Sequence, residues 1–330
     1  MPRKAAWEVL QVVSAGAYSD VALDRVLKKY KFTDIDRSLT TELAYGAIRL
    51  RKFLDCWIDF LGKIPSRKQP PLLRLLLHLG LYQILKMDKI PSSAAINTSV
   101  ELAKRSKISN LAPVVNGLLR TADRFICSGK ILPLPASPSA CLVQEHSLPL
   151  WLAEDLISWF GEKRAEEVAK AFNKVPSFDL RVNRLCATPS GLQKEFEKVG
   201  IKSRCIENSP DCLQVDSGLA ALNQWPGYQE GRWCIQDRSS QRVSLLLDPQ
   251  PGDNVLDACS APGSKTTHLA ELMDNTGKIW AVDRSLSRLN LVAANSKRMR
   301  ASSINILEAD SLQIFCKSNL NGSIIFNVFC

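Results

Sequence analysis

A turn of small residues follows an apolar segment in the last quarter of the sequence. It reads Asp-Ala-Cys-Ser-Ala-Pro-Gly-Ser-Lys-Thr over residues 257–266. Small side chains let a ligand approach the backbone, and the N-terminus of the helix predicted to follow favours electronegative groups. Asp283 ends the next apolar segment, twenty residues after Gly263, where a carboxylate can bind the two hydroxyls of a ribose. With Asp310 after a third such segment, the pattern predicts a site for a small molecule that carries a nucleoside.

Two other phosphate-binding patterns fit this turn less well. The loop of a nucleoside triphosphatase needs glycine at two positions before Lys265-Thr266, but Cys259 and Ser264 stand there. A dinucleotide-binding turn needs three glycines, of which only Gly263 is present. A turn that binds nothing is a third alternative, and the spacing of the two later aspartates argues against it.

Strands and helices alternate on both sides of the turn. The predicted strands are residues 255–259, 278–283, 303–308 and 323–329, and the predicted helices are residues 266–273 and 287–300. This alternation predicts a parallel sheet of the doubly wound type. Because the carboxyl ends of parallel strands meet at one edge of a sheet, we expect the turn, Asp283 and Asp310 to lie close together.

Three regions precede this sheet, so the fold class is multidomain. Residues 1–127 carry apolar positions at helical spacing and predict an all-α domain. Residues 128–142 contain three closely spaced prolines, which predict a linker without a helix. Residues 143–232 mix helical and strand patterns and predict a small α+β module, which leaves residues 233–330 for the α/β sheet.

Length and composition are those of a globular chain with two or three domains. The chain has 330 residues, of which 45% are apolar and 23% are charged. This composition excludes intrinsic disorder and collagen-like repeats. The most apolar segment, residues 72–85, is too short to span a bilayer and contains Arg74, His78 and Gln83. Because the N-terminus also lacks the apolar run of a signal peptide, we expect a cytoplasmic protein.

The cysteines and histidines form no pattern typical of a metal site. Ten cysteines and three histidines are scattered along the chain, without a Cys-x-x-Cys pair. No metal is therefore predicted, and in a reducing compartment most of these thiols are expected to act as small apolar residues.

The formal net charge of +10 predicts a partner that carries phosphate. Charge alone does not choose between nucleic acid and an anionic membrane. Several basic residues near the predicted sheet have no acidic residue among them, and a solvated helix face is the alternative interpretation. The candidate RNA-binding residues are Arg120, Arg284, Arg288, Lys297, Arg298 and Arg300.

Two groups of motifs resemble one protein family. The turn at residues 257–266 and the segment Trp-Cys-Ile-Gln-Asp-Arg-Ser-Ser-Gln at 233–241 resemble the RNA cytosine-C5 methyltransferases. The helical region resembles the NusB-like RNA-binding domain of one branch, the bacterial 16S rRNA methyltransferase B (Sun/Fmu) proteins. This second likeness rests on residues 79–83, Pro91, and residues 94–97, 115–120 and 180–183.

The resemblance implies methyl transfer from S-adenosylmethionine to C5 of a cytosine in 16S rRNA. In this family a cysteine thiolate attacks C6 of the base, which makes C5 nucleophilic. By analogy Asp283 would hold the ribose of the cofactor, and Asp310 would lie beside its adenine. The residues expected to line the cofactor are Cys259, Ser260, Ala261, Pro262, Gly263, Ser264 and Lys265. The implied partner is 16S rRNA, with neither DNA nor a membrane involved, and we expect a monomer.

The C-terminal sequence departs from the family pattern. The family has one cysteine in an Asp-Ala-Pro-Cys motif and a second, the nucleophile, in a later Thr-Cys motif. Here Asn327 and Phe329 replace the Asp and Pro of the first motif, and Cys330 matches its cysteine. A chance terminal cysteine is the alternative. The sheet is thus expected to be incomplete and this member of the methyltransferase family inactive. The alternative function is that of a non-catalytic RNA-binding protein with a vestigial cofactor site.

Overall fold

The computed structural model describes residues 1–174, 176–217 and 222–311, and the backbone of a strand at 324–327. The chain divides into two compact units, Met1–Lys174 and Val175–Cys330. We describe each unit by itself.

The first unit is helical, as the apolar spacing predicts. Helix α5 lies at its centre, and its buried residues include Leu76, Leu77 and Leu81. The helices are α1 (Pro2–Ser14), α2 (Ser19–Leu27), α3 (Asp34–Arg49), α4 (Arg51–Leu61), α5 (Pro71–Lys86), α6 (Ser92–Lys104), α7 (Ala112–Cys127), α8 (Pro138–His146) and α9 (Leu150–Phe172). Within the described residues, no helix combines the length and apolar character needed to cross a bilayer.

Helix α8 begins inside the segment predicted to be a linker without a helix, so this part of the prediction was wrong. Pro138 occupies the first turn of α8, where a proline is tolerated because its missing N–H would have no intrahelical acceptor. Ser147 follows α8, and its hydroxyl accepts a hydrogen bond from the backbone N–H of Lys52 in α4 (2.9 Å). Helices α8 and α9 therefore belong to the first unit, which extends to Lys174.

A buried carboxylate makes the stability of the helical unit depend on pH. Burial alone would raise the pKa of Asp55, but hydrogen bonds from His78 and Arg74 outweigh it and lower that pKa to about 2. The pKa of Asp55 is lower in the folded state than its unfolded value of about 3.9. The ionised carboxylate therefore stabilises the fold fully above about pH 4, and this contribution to the free energy of unfolding is lost as pH falls through about 2. It is expected to reach about 2 kcal/mol. Hydrogen exchange of α4 and α5 peptides in the wild type and in Asp55→Asn, at about pH 6 and pH 3, measures it; a pH-independent difference would contradict it.

The second unit starts with a four-stranded antiparallel sheet in the order β2-β3-β1-β4. Its elements are β1 (Phe178–Val182), α10 (Pro189–Lys198), β2 (Lys202–Ile206), β3 (Ser209–Ser217) and β4 (Trp233–Ile235). Alternating apolar residues of β1, with Phe196 of α10 and Trp233 of β4, form its buried core. Thr188 caps α10 by accepting a hydrogen bond from the N–H of Gly191 (3.2 Å).

A four-stranded sheet in the order β7-β6-β5-β8 follows, and every pair in it is parallel. Its elements are α11 (Arg238–Leu247), β5 (Asn254–Asp257), α12 (Ser264–Leu272), β6 (Lys278–Asp283), α13 (Leu286–Met299), β7 (Ile304–Glu308) and β8 (Ile324–Asn327). The predicted multidomain fold class, with a helical region, a small α+β module and an α/β sheet, is confirmed. The register of β5, β6 and β7 brings their carboxyl ends to the same edge.

Candidate functional site

The turn between β5 and α12 is tied to the next strand. Both the N–H and the hydroxyl of Ser260 donate to the carbonyl oxygen of Val282 in β6, at 2.8 and 3.0 Å. The N–H of Gly263 donates back to the Ser260 carbonyl oxygen (2.7 Å), and the Ala261-Pro262 peptide bond is cis. The turn is therefore held in one position at the carboxyl edge of the sheet.

Helix α13 holds the other side of the turn. Asn295 Nδ2 donates to the Pro262 carbonyl oxygen (2.9 Å), and Arg288 Nη2 donates to that of Ala261 (3.2 Å). Gly263 has φ of +100°, and a Cβ there would lie 3.1 Å from the Cα of Val292. Glycine is thus favoured by its left-handed backbone and by the close packing of α13, which is a reason that sequence reasoning did not identify.

The buried side chain of Asp257 holds the start of the turn. Its side chain is buried, and Thr266 Oγ1 of α12 donates to its Oδ2 (2.7 Å). Burial raises the pKa of Asp257, and the hydrogen bonds from Thr266 and from the backbone of Cys259 offset part of that effect. These two side chains position the turn from within the protein.

Asp283 lies at the end of β6, on the same edge as the turn. Its Oδ1 accepts a hydrogen bond from the N–H of Ser285 (3.0 Å), and its Oδ2 lies 3.7 Å from Arg288 Nη1. The side chain is 10% exposed, so this carboxylate is fixed but reaches the surface. Asp310 is half-buried two residues after β7, where Ala309 N–H donates to the Asp283 carbonyl oxygen (3.3 Å).

The structure places the predicted cofactor residues along one edge, in different degrees of exposure. Within the turn, Ser260, Ala261 and Gly263 are buried, Ser264 and Lys265 are half-buried, and Cys259 and Pro262 are exposed. Cys330, which matches the first cysteine of the family pattern, lies outside the described residues. Within the described ranges, no group of three or more His, Cys, Asp or Glu side chains is placed to hold a metal ion.

The candidate RNA-binding residues differ in what they contact. Arg298 Nη1 donates to the carbonyl oxygens of Tyr228 (2.9 Å) and Trp233 (3.0 Å), and its guanidinium lies 4.4 Å from the Tyr228 ring centroid. Arg298 therefore holds α13 against β4. Arg288 is exposed but also braces the turn and Asp283.

The remaining four candidates are exposed. Three of them, Arg284, Lys297 and Arg300, lie beside or on α13. Arg120 lies on α7 in the first unit, where its Nε donates to Asn116 Oδ1 (2.9 Å).

A buried arginine that sequence reasoning did not single out supports the turn from the antiparallel sheet. Arg181 of β1 is fully buried, and its Nε and Nη2 donate to the two carboxylate oxygens of Glu271 in α12, at 3.1 and 2.7 Å. Nη2 also donates to Thr267 Oγ1 (2.9 Å), and Nη1 donates to the carbonyl oxygen of Ser264 and to Gln236. One guanidinium thus fixes the first turn of α12, directly after the candidate cofactor turn.

Comparison with protein-family models finds three matches in series. Residues 1–124 match the NusB family. Residues 148–221 match the ferredoxin-like domain of the RsmF/B-like methyltransferases, and residues 244–328 match the 16S rRNA methyltransferase RsmB/F model.

Individual proteins give the same assignment. The chain is 40% identical over 297 residues to the probable ribosomal RNA small subunit methyltransferase B of Synechocystis sp., which covers 90% of this chain and 66% of the relative. It is 33% identical over 297 residues to the probable ribosomal RNA small subunit methyltransferase B of Bacillus subtilis, covering 90% of this chain and 64% of that relative. The chain thus spans about two thirds of the length of these curated relatives.

A solved structure shares the fold. The crystal structure of PH0851 superposes with a TM-score of 0.72 at 24% identity, covering 94% of this chain and 69% of that one. The helical region, the antiparallel module and the parallel sheet occur here in the order of the three family models. The chain therefore belongs to the NusB-domain-bearing branch of the RsmB/F family of 16S rRNA methyltransferases.

Proposed function

We propose that this protein acts in the methylation of cytosine C5 in 16S rRNA, with S-adenosylmethionine as the methyl donor. The observation that supports it most is the fixed Asp283 carboxylate at the end of β6, on the same sheet edge as the braced turn before α12. The turn residues Cys259–Lys265 would line the cofactor, Asp283 would bind the hydroxyls of its ribose, and Asp310 would lie beside its adenine.

The chemistry of these residues fits such a cofactor. A carboxylate has about four acceptor positions, and Asp283 uses one oxygen for a hydrogen bond to the Ser285 N–H. Its other oxygen has Arg288 as a neighbour at 3.7 Å, beyond hydrogen-bond distance, so acceptor capacity remains for hydroxyl groups. The N-terminus of α12 presents first-turn N–H groups, which favour a carboxylate of a ligand.

The protein's own side chains would orient the reaction partners. Bound S-adenosylmethionine supplies an electrophilic methyl group. Arg288 contacts both the turn and the ribose-binding carboxylate, so it sets the distance between them. The exposed Arg284, Lys297 and Arg300 would contact RNA phosphates. We assign the thiolate nucleophile to no described residue.

Substitution of the ribose-binding carboxylate tests the cofactor assignment. Asp283→Asn is expected to weaken binding of S-adenosylmethionine about a hundredfold, because hydrogen bonds to a charged group contribute about 1.5–3 kcal/mol each. Isothermal titration of the purified chain measures the affinity. Asp274→Asn is the matched control, since Asp274 is an exposed carboxylate whose left-handed φ of +50° suits asparagine equally well.

Two outcomes separate the alternatives. Equal affinities of Asp283→Asn and the wild type would contradict the site. Cofactor binding without incorporation of labelled methyl groups into 16S rRNA would favour a non-catalytic RNA-binding protein that retains the cofactor site.

A further inference from the structure

A cleft of about 450 Å³ lies within the helical unit, and none of its lining residues is among those assigned to the cofactor. Residues of α1, α3, α4 and α5 form its walls, together with Arg67 and Gln69 in the segment between α4 and α5. The volume falls within the range of about 300–1,000 Å³ that small-molecule and nucleotide sites occupy.

The cleft is strongly basic. Arg51, Lys52, Arg67 and Arg74 line it, whereas Asp55 is its only acidic lining residue. Arg51, Lys52 and Arg67 are exposed and form no ion pair among the residues that the structure describes. Three positive charges are therefore uncompensated around one opening, which favours an anionic ligand.

The interior of the cleft is built around a buried charged network. Arg74 donates to both carboxylate oxygens of Asp55, with an Nε–Oδ1 distance of 2.7 Å. His78 Nε2 lies 2.8 Å from the same Oδ1, and the His78 side chain is 5% exposed. The guanidinium of Arg74 is thus held in a fixed orientation at the cleft wall, which lowers the entropic cost of binding an anion.

Apolar residues form another part of the cleft wall. Leu10, Val13, Ile48 and Leu75 line the cleft beside the basic residues. The Oε1 atom of Gln69 is also buried there and has no hydrogen-bond partner within the described part of the chain. The cleft thus combines three features that suit a nucleotide. It has cationic groups that bind a phosphate, an apolar surface for a ring, and an unused acceptor for an N–H or O–H group.

We propose that this cleft binds one nucleotide of a single-stranded RNA segment, with its phosphate on Arg74 and its base against the apolar wall. Arg51, Lys52 and Arg67 stand at the rim, where they would contact the phosphates of adjoining nucleotides. The inference deepens the proposed function, because RNA is the substrate of that reaction. It adds a recognition site in the helical unit.

Removal of two rim charges tests the proposal. The full chain with Arg51→Gln and Arg67→Gln is expected to bind a short labelled single-stranded RNA of mixed sequence roughly tenfold more weakly, as measured by fluorescence anisotropy. The slope of log K against log salt is expected to fall by about 1.4, since each lost phosphate contact on a single strand removes about 0.7. Arg25→Gln with Arg37→Gln is the matched control, because both arginines are exposed and lie outside the cleft.

Competition experiments distinguish an RNA segment from a free nucleotide or inorganic phosphate as the ligand of the cleft. Cytidine monophosphate and inorganic phosphate are added in separate titrations; displacement of RNA only at millimolar nucleotide supports an RNA segment as the ligand. Full occupancy by the free nucleotide at micromolar concentration would instead identify a mononucleotide site and overturn the proposal. Equal RNA affinity of the rim variant and the control variant would also overturn it.

Failure of this proposal is separable from failure of the proposed function. The rim variant is tested by its affinity for RNA, whereas Asp283→Asn is tested by its affinity for the cofactor. Hydrogen exchange of α4 and α5 peptides at the wild-type rate shows that the helical unit of the rim variant is folded, so a loss of RNA binding then belongs to the cleft.

Discussion

Replacement of Arg181 by alanine is expected to lower the free energy of unfolding of the second unit by about 3–5 kcal/mol. The guanidinium is fully buried and binds the Glu271 carboxylate through two hydrogen bonds. Alanine would leave that carboxylate, whose side chain is 2% exposed, without its cation. An unpaired buried charge is far more costly than the loss of an exposed ion pair.

Paired substitutions identify the origin of this loss. Arg181→Met combined with Glu271→Leu is expected to be much less destabilising than either Arg181→Ala or Glu271→Ala, because it removes both charges and keeps most of the volume. Arg204→Ala is the matched control. It removes an arginine whose contact with Asp216 is 3.9 Å long and exposed, so it is expected to cost less than about 1 kcal/mol.

Urea unfolding, with hydrogen exchange of β1 and α12 peptides, measures these differences. A double variant as unstable as Arg181→Ala would show that shape, and not the unpaired charge, causes the loss. Since Arg181 Nη1 also donates to the Ser264 carbonyl oxygen, the substitution is expected to loosen the turn before α12 as well. Weaker cofactor binding by the folded variant would report that effect separately.

The sequence predicts those parts of the fold that depend on local pattern. Strand β6 spans the predicted residues 278–283 without any shift. It is a short β-capable segment that directly follows Gly277, so propensity and turn chemistry agree. Helix α8 is not predictable from proline spacing alone, because three close prolines predict a segment without a helix and Pro138 lies in the first helical turn, where proline is tolerated.

The candidate site is only partly predictable, because its support comes from distant residues. The spacing of the turn and Asp283 follows from the alternation of strands and helices. Arg181 and Glu271 are 90 residues apart, so no local pattern reveals that they pair. The carbonyl oxygens that accept from Arg298 belong to Tyr228 and Trp233, which lie 70 and 65 residues away, so the basic pattern of α13 does not reveal them either.

Replacement of Gly231 by alanine is expected to destabilise the second unit by about 3 kcal/mol or more. Gly231 has φ of +70°, and a Cβ there would lie 1.9 Å from the carbonyl oxygen of Arg298 at the end of α13. A left-handed backbone costs an ordinary residue about 1–2 kcal/mol, and forcing the backbone of α13 away adds about 1–3 kcal/mol. Asn183 Nδ2 donates to the carbonyl oxygens of both Gly231 (3.0 Å) and Met299 (3.1 Å), so the displacement would also break a buried bridge.

Gly200→Ala is the control that separates the cost of the left-handed backbone from the cost of the clash with α13. Its φ of +78° is nearly the same, but a Cβ there would have no heavy atom within 4 Å. Gly200→Ala therefore retains only the backbone cost of about 1–2 kcal/mol, and urea unfolding of the two variants measures the difference. Equal losses would contradict a close approach of α13 to Gly231. A larger loss for Gly231→Ala, with faster hydrogen exchange in α13, would show that the antiparallel module fixes α13. That helix in turn holds the turn before α12 through Arg288 and Asn295.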